Sequence, residues 1–144
     1  MAYCSKDDVE NVLNAALVAQ TATEPDADEP DWGVVETVCV RASAEVDSYC
    51  GGRYATPFSP TPDVVRWKTA DIAAYLLLVR RGFVEEDADT PIGKRYRDAV
   101  RWLTDVSKGD AHIPTSAATP EPSEQLTAVV SRPKLFSEDG LAGY

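Results

Sequence analysis

The chain has 144 residues, of which 44% are hydrophobic and 26% charged, a composition that is typical of one globular domain and excludes collagen-like and wholly disordered classes. Its formal net charge of -10 repels phosphate at long range, so we expect no specific nucleic-acid binding. The longest apolar run, residues 72–79, is far shorter than the roughly 20 residues of a membrane helix, and the N-terminus shows no secretory pattern, which predicts assembly in a cytoplasm.

The first 31 residues predict one short helix followed by a loop. Ser5 and Asp8 are typical of a helix start, because a hydroxyl caps the first turn and a carboxylate lies near the positive end of the helix dipole. Apolar residues then recur at helical spacing, which predicts a helix over residues 5–19. Residues 20–31 contain two prolines and five carboxylates, which predict a solvated loop. The spacing of these residues does not match an EF-hand loop, since Pro30 interrupts it, so we expect no calcium there.

A second, longer helix is followed by a proline-rich connection. The helix is predicted to begin at Trp32, with apolar residues three or four apart, and to end at the glycines of residues 51–52. Residues 53–62 contain three prolines, which favour an extended path. We expect Tyr54 and Phe58 to attach this connection to the core.

Two further helices complete the predicted bundle. The third is predicted over residues 62–81, and its stretch 72–79 is apolar on nearly all sides, which is typical of a central helix packed against several neighbours. The fourth is predicted from Thr90 to Gly109. The predicted fold class is therefore all-α, a small bundle of about four helices. Its predicted core contains one group of aliphatic side chains: Val35, Val38, Ile72, Leu76, Leu103 and Val106.

Beyond Gly109 the helical spacing ends, which divides the chain into a helical adaptor domain, residues 1–109, and an extended C-terminal arm, residues 110–144. Four prolines interrupt the arm. Residues 126–130 are typical of a strand, and apolar anchors follow them, which favours a partner surface. We therefore predict that the arm binds a partner through eight residues: Leu126, Val129, Val130, Arg132, Leu135, Phe136, Leu141 and Tyr144.

Few residues favour catalysis, a metal or a cofactor. His112 has no second histidine or cysteine nearby to build a zinc site, and Pro133 interrupts the S-x-x-K match that begins at Ser131. Three cysteines without a C-x-x-C pair are expected to be reduced and mostly buried: Cys4, Cys39 and Cys50. We predict that the protein is not an enzyme and uses no cofactor. A catalytic role for Asp71 and Asp98 is a minor alternative, because no second catalytic group accompanies them.

Basic and aromatic side chains of the third and fourth helices each have two interpretations. Arg80, Arg81 and the basic cluster in residues 94–101 are expected to pair with carboxylates or to cap helix ends, with a DNA contact as the alternative. Four aromatic residues are expected to pack within the protein rather than to stack on bases, because their spacing is helical: Trp67, Tyr75, Tyr96 and Trp102.

Four segments, in order along the chain, together resemble one known family. Residues 42–54, A-S-A-E-V-D-S-Y-C-G-G-R-Y, with Pro57 and Pro60, are similar to the signature of phage Mu-like head-tail connector proteins. Three later segments resemble the family's following two helices and its terminal arm: residues 66–81, 94–103 and 131–144. The chain departs from the pattern in residues 20–31 and in Cys50, which replaces an aliphatic residue.

The resemblance implies an adaptor of the virion neck that binds the phage portal protein as a ring. The ring would contain neighbouring copies of the chain, about twelve by portal symmetry, and would present its far side to a stopper or tail-completion protein. DNA would pass through such a ring without specific binding, and no membrane would take part. The alternative function is a small cytoplasmic helical protein-binding module or regulator, which predicts a monomer or dimer without a ring.

Overall fold

The computed structural model describes residues 1–83 and 89–115, and all regular structure within these two ranges is helical. These two ranges contain five helices: α1 (Lys6–Val12), α2 (Ala15–Ala22), α3 (Trp32–Cys50), α4 (Asp63–Arg80) and α5 (Pro91–Lys108). This confirms the predicted all-α fold and the small helical bundle.

The helix α4 lies at the centre of the bundle and packs against each of the other four helices. Ile72 and Leu77 of α4 are fully buried, whereas Leu76, predicted to lie in the core, is only partly buried. An unbroken apolar run does not reveal which side of a helix faces the core, so the sequence pointed to Leu76 although Leu77 holds the central position. The other predicted core residues are buried: Val35, Val38, Ile72, Leu103 and Val106.

The single helix predicted over residues 5–19 is wrong, because the structure divides this segment into α1 and α2. The division falls at Asn14, whose φ of 126° is positive and whose side-chain oxygen accepts a 2.8 Å hydrogen bond from the Leu17 N–H. Asparagine tolerates positive φ better than most residues and is a favoured N-cap. The helix α2 then continues to Ala22, where Thr21 and Ala22 are buried, so the loop begins at residue 23 and not at residue 20. We call residues 23–31 the acidic loop.

All three cysteines are buried, as predicted, and their thiols are free. Burial raises the pKa of Cys50 to about 11, which disfavours the reactive thiolate. Cys50 therefore acts as a small apolar core residue. Among the described residues, no helix combines the length and the apolar character that crossing a bilayer requires.

Candidate docking surfaces

The predicted partner-binding residues lie outside the described residues, together with the strand predicted over residues 126–130: Leu126, Val129, Val130, Arg132, Leu135, Phe136, Leu141 and Tyr144. The structure describes the arm from residue 110 to residue 115. The root of the arm and the surfaces of the helical bundle are therefore the parts whose geometry bears on docking.

The root of the arm is attached to the helices. Gly109 ends α5 with a φ of 92°, a left-handed conformation that glycine adopts without strain. The guanidinium of Arg53 lies against this glycine, since a Cβ built at residue 109 would be 1.7 Å from Nη1 of Arg53. Further along, Ile113 is buried, and its N–H donates a 3.0 Å hydrogen bond to the hydroxyl of Tyr54. The chain thus remains attached to the bundle as far as Ile113.

Tyr3 fastens the proline-rich connection, residues 53–62, to α3. Its backbone N–H donates a 2.8 Å hydrogen bond to Oγ of Ser43, and its hydroxyl donates to the carboxylate of Asp47. The same hydroxyl accepts a 3.0 Å hydrogen bond from the N–H of Phe58. Burial, together with the hydrogen bond to Asp47, raises the pKa of Tyr3 to about 12, so the phenol keeps its donor proton at neutral pH.

The aromatic rings of the connection confirm that it is held against the core. Phe58 is buried and Tyr54 is partly buried, as predicted. The ring centroids of Tyr3 and Phe58 are 5.7 Å apart, and those of Tyr54 and Phe58 are 6.0 Å apart. Such tilted pairs contribute beyond the apolar area that they bury.

An open cleft of about 610 Å³ lies beside the point where the arm leaves the bundle. One part of its wall is the proline-rich connection, with Pro57, Pro60 and Pro62, and another is the arm itself, at Pro114 and Thr115. Prolines offer ring surface but no N–H donor. The wall of the cleft is therefore partly apolar ring surface without backbone donors.

Residues of the segment 42–54, which resembles the family signature, join α3, α5, the proline-rich connection and the root of the arm. Glu45 accepts a 3.2 Å hydrogen bond from the hydroxyl of Tyr96 and so joins α3 to α5. Asp47 accepts from the N-terminal tyrosine, Arg53 lies against the glycine that ends α5, and Tyr54 holds the arm root. The contributions of Tyr3 and Arg53 could not be found in the sequence, because their partners are distant along the chain and no local pattern marks such pairs.

The packing predicted for Trp67 is wrong, because its side chain is 60% exposed. Trp67 lines a groove of about 460 Å³ that residues of α1, α4 and α5 surround. The helices α1 and α5 both pack on α4 but not on each other, so the strip of α4 between them stays open. The other three aromatic residues pack as predicted: Tyr75 and Tyr96 stack with ring centroids 4.2 Å apart, and Trp102 is partly buried against the core.

The two carboxylates considered for catalysis, Asp71 and Asp98, line this same groove. Nη1 of Arg95 lies 3.1 Å from Oδ1 of Asp71. Burial raises the pKa of Asp71, and the charge of Arg95 opposes that shift. Across the described ranges, no group of three or more His, Cys, Asp or Glu side chains is placed to hold a metal ion. The geometry around Asp71 is that of a surface ion pair.

The acidic loop is attached at its two ends and exposed between them. At one end, the carboxylate of Glu24 pairs with Arg80, and its Oε2 lies 3.9 Å from Nη1 of Arg81. The hydrogen bond from Arg80 lowers the pKa of Glu24. At the other end, Asp31 caps α3 by accepting a 2.9 Å hydrogen bond from the N–H of Gly33. The predicted pairing of Arg80 and Arg81 with carboxylates is therefore confirmed.

The basic cluster of α5 behaves in two ways. Arg95 and Arg97 each form an ion pair with a carboxylate, at 3.1 and 3.2 Å respectively. Lys94, Arg101 and Lys108 are exposed and form no ion pair with any residue that the structure describes. The predicted pairing therefore accounts for only part of the cluster. We call Lys94, Arg101 and Lys108 the basic face.

Comparison with known proteins links the whole helical bundle to phage proteins. A family model described as Bacteriophage Mu, Gp36 matches residues 3–131, which include all five helices. Gene product J of Escherichia phage Mu is 31% identical over 111 residues, which cover 76% of this chain and 74% of that protein. The Mu-like prophage FluMu protein gp36 of Haemophilus influenzae is 29% identical over 107 residues, which cover 74% of this chain and 72% of that protein.

Proposed function

The chain belongs to the Bacteriophage Mu, Gp36 family and is a Mu-like phage protein, and from this premise we propose that it is a structural adaptor of the virion neck. In this proposal it binds the portal protein as a ring of copies and links the DNA-filled head to the tail through a stopper or tail-completion protein. The C-terminal arm makes the contact with the portal or with a neighbouring copy.

The observation that carries the proposal is the fixed root of the arm. The residues that resemble the connector signature attach the chain to the bundle up to Ile113 through Arg53 and Tyr54. A segment that starts from a fixed point has fewer orientations to lose when its distal anchors bind. Each apolar anchor is worth roughly 1.5 to 3 kcal/mol before ordering costs. In this proposal, the residues of the connector signature hold the root of the arm in place so that its distal anchors can bind a partner.

We propose no catalytic step for this protein. Asp71 is engaged by Arg95, and Asp98 shares its groove with Arg66, Lys68 and Trp67, a set that suits surface contacts between proteins. A structural role requires only stable surfaces at fixed positions.

Electron microscopy of the full-length protein mixed with purified portals of a Mu-like phage tests the proposal. We expect a ring of added density on one side of the portal. A protein that remains a monomer or dimer and leaves the portal unchanged would contradict the proposal and would favour the regulator instead.

Two matched variants test the role of the arm in the same assay. Replacing its anchors, Leu135→Ser with Phe136→Ser, should leave helical circular dichroism unchanged and abolish the added density. The control, Ser137→Ala with Glu138→Ala, changes neighbouring polar residues and should retain it. Equal binding by both variants would mean that these anchors do not dock the arm.

A further inference from the structure

Positive and negative side chains are distributed unevenly between the N-terminal residues and α5. Residues 1–31 contain eight carboxylates and one lysine, whereas α5 contains five cations and two carboxylates. The protein is strongly acidic as a whole, so two copies repel each other at long range. A contact in which a basic surface of one copy meets an acidic surface of another offsets this repulsion.

The basic face forms a line along α5. Lys94, Arg101 and Lys108 are seven residues apart, which is about two helical turns, so they lie on one side of the helix. The side of α5 that carries Leu103 and Val106 is buried, and the basic face lies opposite to it. Two carboxylates, Asp98 and Asp105, share the outer half of α5 but pair with none of the three cations within 4 Å. The three cations outnumber them.

The acidic loop offers the complementary charges. Asp26, Asp28 and Glu29 are exposed and form no ion pair with any residue in the described ranges. No lysine or arginine occurs within residues 23–31. The loop joins α2, which makes no contact with α5, to α3, which packs against α5.

Within one subunit, no ion pair among the described residues joins the acidic loop to the basic face. Two different surfaces that bind each other produce a head-to-tail contact, and repetition of such a contact closes into a ring when the rotation permits. We propose that the basic face of α5 binds the acidic loop of a second copy and that this contact joins neighbouring subunits in the ring. The inference rests on the proposed adaptor function and specifies one of its interfaces.

A second copy fits the basic face better than DNA does. The net charge of -10 disfavours binding of DNA phosphates. The basic face supplies only three cations to oppose this repulsion. The acidic loop of a second copy offers three exposed carboxylates without an ion pair among the described residues, Asp26, Asp28 and Glu29, and contains no lysine or arginine. DNA binding is the alternative role of the basic face.

Carbodiimide cross-linking of the full-length protein tests the contact directly, because this reagent joins a carboxylate to a lysine amine only when the two touch. Equal amounts of ¹⁴N- and ¹⁵N-labelled protein are mixed at low salt and analysed by mass spectrometry. We expect mixed-isotope links between peptides containing Lys94 or Lys108 and the peptide containing residues 24–31. The intramolecular pair of Lys6 and Glu10, 3.2 Å apart, is the internal control. If that pair is linked and no mixed-isotope link appears, the proposal is wrong.

Reversing the charges of each surface tests whether their complementarity causes the copies to associate. The acid-reversed variant carries Asp26→Lys, Asp28→Lys and Glu29→Lys, and the base-reversed variant carries Lys94→Glu, Arg101→Glu and Lys108→Glu. Each alone should self-associate at least about tenfold more weakly than the unmodified protein in sedimentation. An equimolar mixture should recover the association, because each variant then supplies the surface that the other needs. A mixture that does not recover would overturn the proposal.

A control variant and two further measurements separate the alternatives. Asp7→Lys with Glu36→Lys reverses two exposed carboxylates outside both surfaces and should associate normally. If the base-reversed variant loses only duplex DNA binding, α5 contacts nucleic acid and the proposal fails. If both reversed variants form normal rings on portals, the proposed interface fails while the adaptor function stands. If the unmodified protein shows the cross-link but binds no portal, the adaptor function fails and the contact between copies stands.

Discussion

The two proline-containing connections of this protein, residues 53–62 and the acidic loop, differ in what attaches them to the helices. The proline-rich connection is held by the buried ring of Phe58 and by the hydrogen bond from the Phe58 N–H to the hydroxyl of Tyr3. The acidic loop is held by an exposed ion pair at one end and a helix cap at the other. Both segments contain prolines, so prolines alone do not distinguish a fixed connection from a solvated one. Aromatic side chains facing the core do.

Removing the aromatic attachment should have the largest effect. Phe58→Ala removes a buried ring and leaves a cavity, which is expected to lower the free energy of unfolding by about 3 to 5 kcal/mol. Phe83→Ala is the matched control, because the Phe83 side chain is 45% exposed. Urea unfolding followed by circular dichroism measures both. Similar losses for the two variants would show that the connection is not held by Phe58.

Alkaline pH should weaken the same attachment through Tyr3. Its pKa is about 12 in the folded protein and 10.0 for the ordinary phenol, so the folded state binds the proton more tightly. The stability that Tyr3 contributes is fully present below pH 10 and is lost as the pH rises through about 12. Phenolate absorbance and thermal unfolding over this range measure the effect, and Tyr3→Phe should reduce the loss. A phenol that titrates near its ordinary value would contradict the network around Asp47.

Loosening only the arm root should have a smaller effect. Tyr54→Phe removes the oxygen that accepts the N–H of Ile113, with an expected cost of about 0.5 to 1.5 kcal/mol. Hydrogen exchange at the Ile113 amide should accelerate. Tyr49→Phe is the control, because Tyr49 is also partly buried but does not contact the arm root through its hydroxyl. Unchanged exchange at Ile113 would mean that the arm is fixed by other contacts.

Changing the acidic loop should have the smallest effect on stability. Glu24→Gln removes an exposed ion pair with Arg80, and such pairs are screened by salt. Because Arg80 lowers the pKa of Glu24, the contribution of this pair is present above the ordinary pKa of glutamate and is lost as the pH falls through the lowered value. Thermal unfolding at low and high salt measures it, with Glu29→Gln as the unpaired control. A large loss that persists at high salt would remove the contrast between the two connections.

The sequence predicted the long helices and the buried thiols well, because these depend on local spacing and composition. The helix α5 begins at a proline after a threonine cap and ends at a glycine, and each of these signals is visible in the sequence. The prediction of a single helix over residues 5–19 was wrong because it also relied on local spacing. The apolar spacing continues across Asn14, but in the structure the side chain of Asn14 caps a second helix. The apolar spacing predicts one helix and the capping residue predicts two, and the structure contains two helices.

The candidate surfaces were less predictable than the helices. Helical spacing placed Trp67 inside the protein, whereas the gap between α1 and α5 leaves it exposed. The basic cluster of α5 was expected to pair with carboxylates, and the structure pairs only part of it. Whether a charge is paired depends on which helix lies opposite, and the sequence of one helix does not contain that information.

The sequence by itself determined the all-α fold, the extent of the long helices, most of the core and the resemblance to Mu-like phage proteins, because helical periodicity, caps and motifs act over a few residues. Only the tertiary structure decided that Tyr3 holds the proline-rich connection, that Arg53 and Tyr54 fix the root of the arm, and which cations of α5 form ion pairs. These features join residues that are tens of positions apart. Their geometry follows from how α4 packs against its neighbours, and packing is set by the shape of the whole core rather than by any local segment.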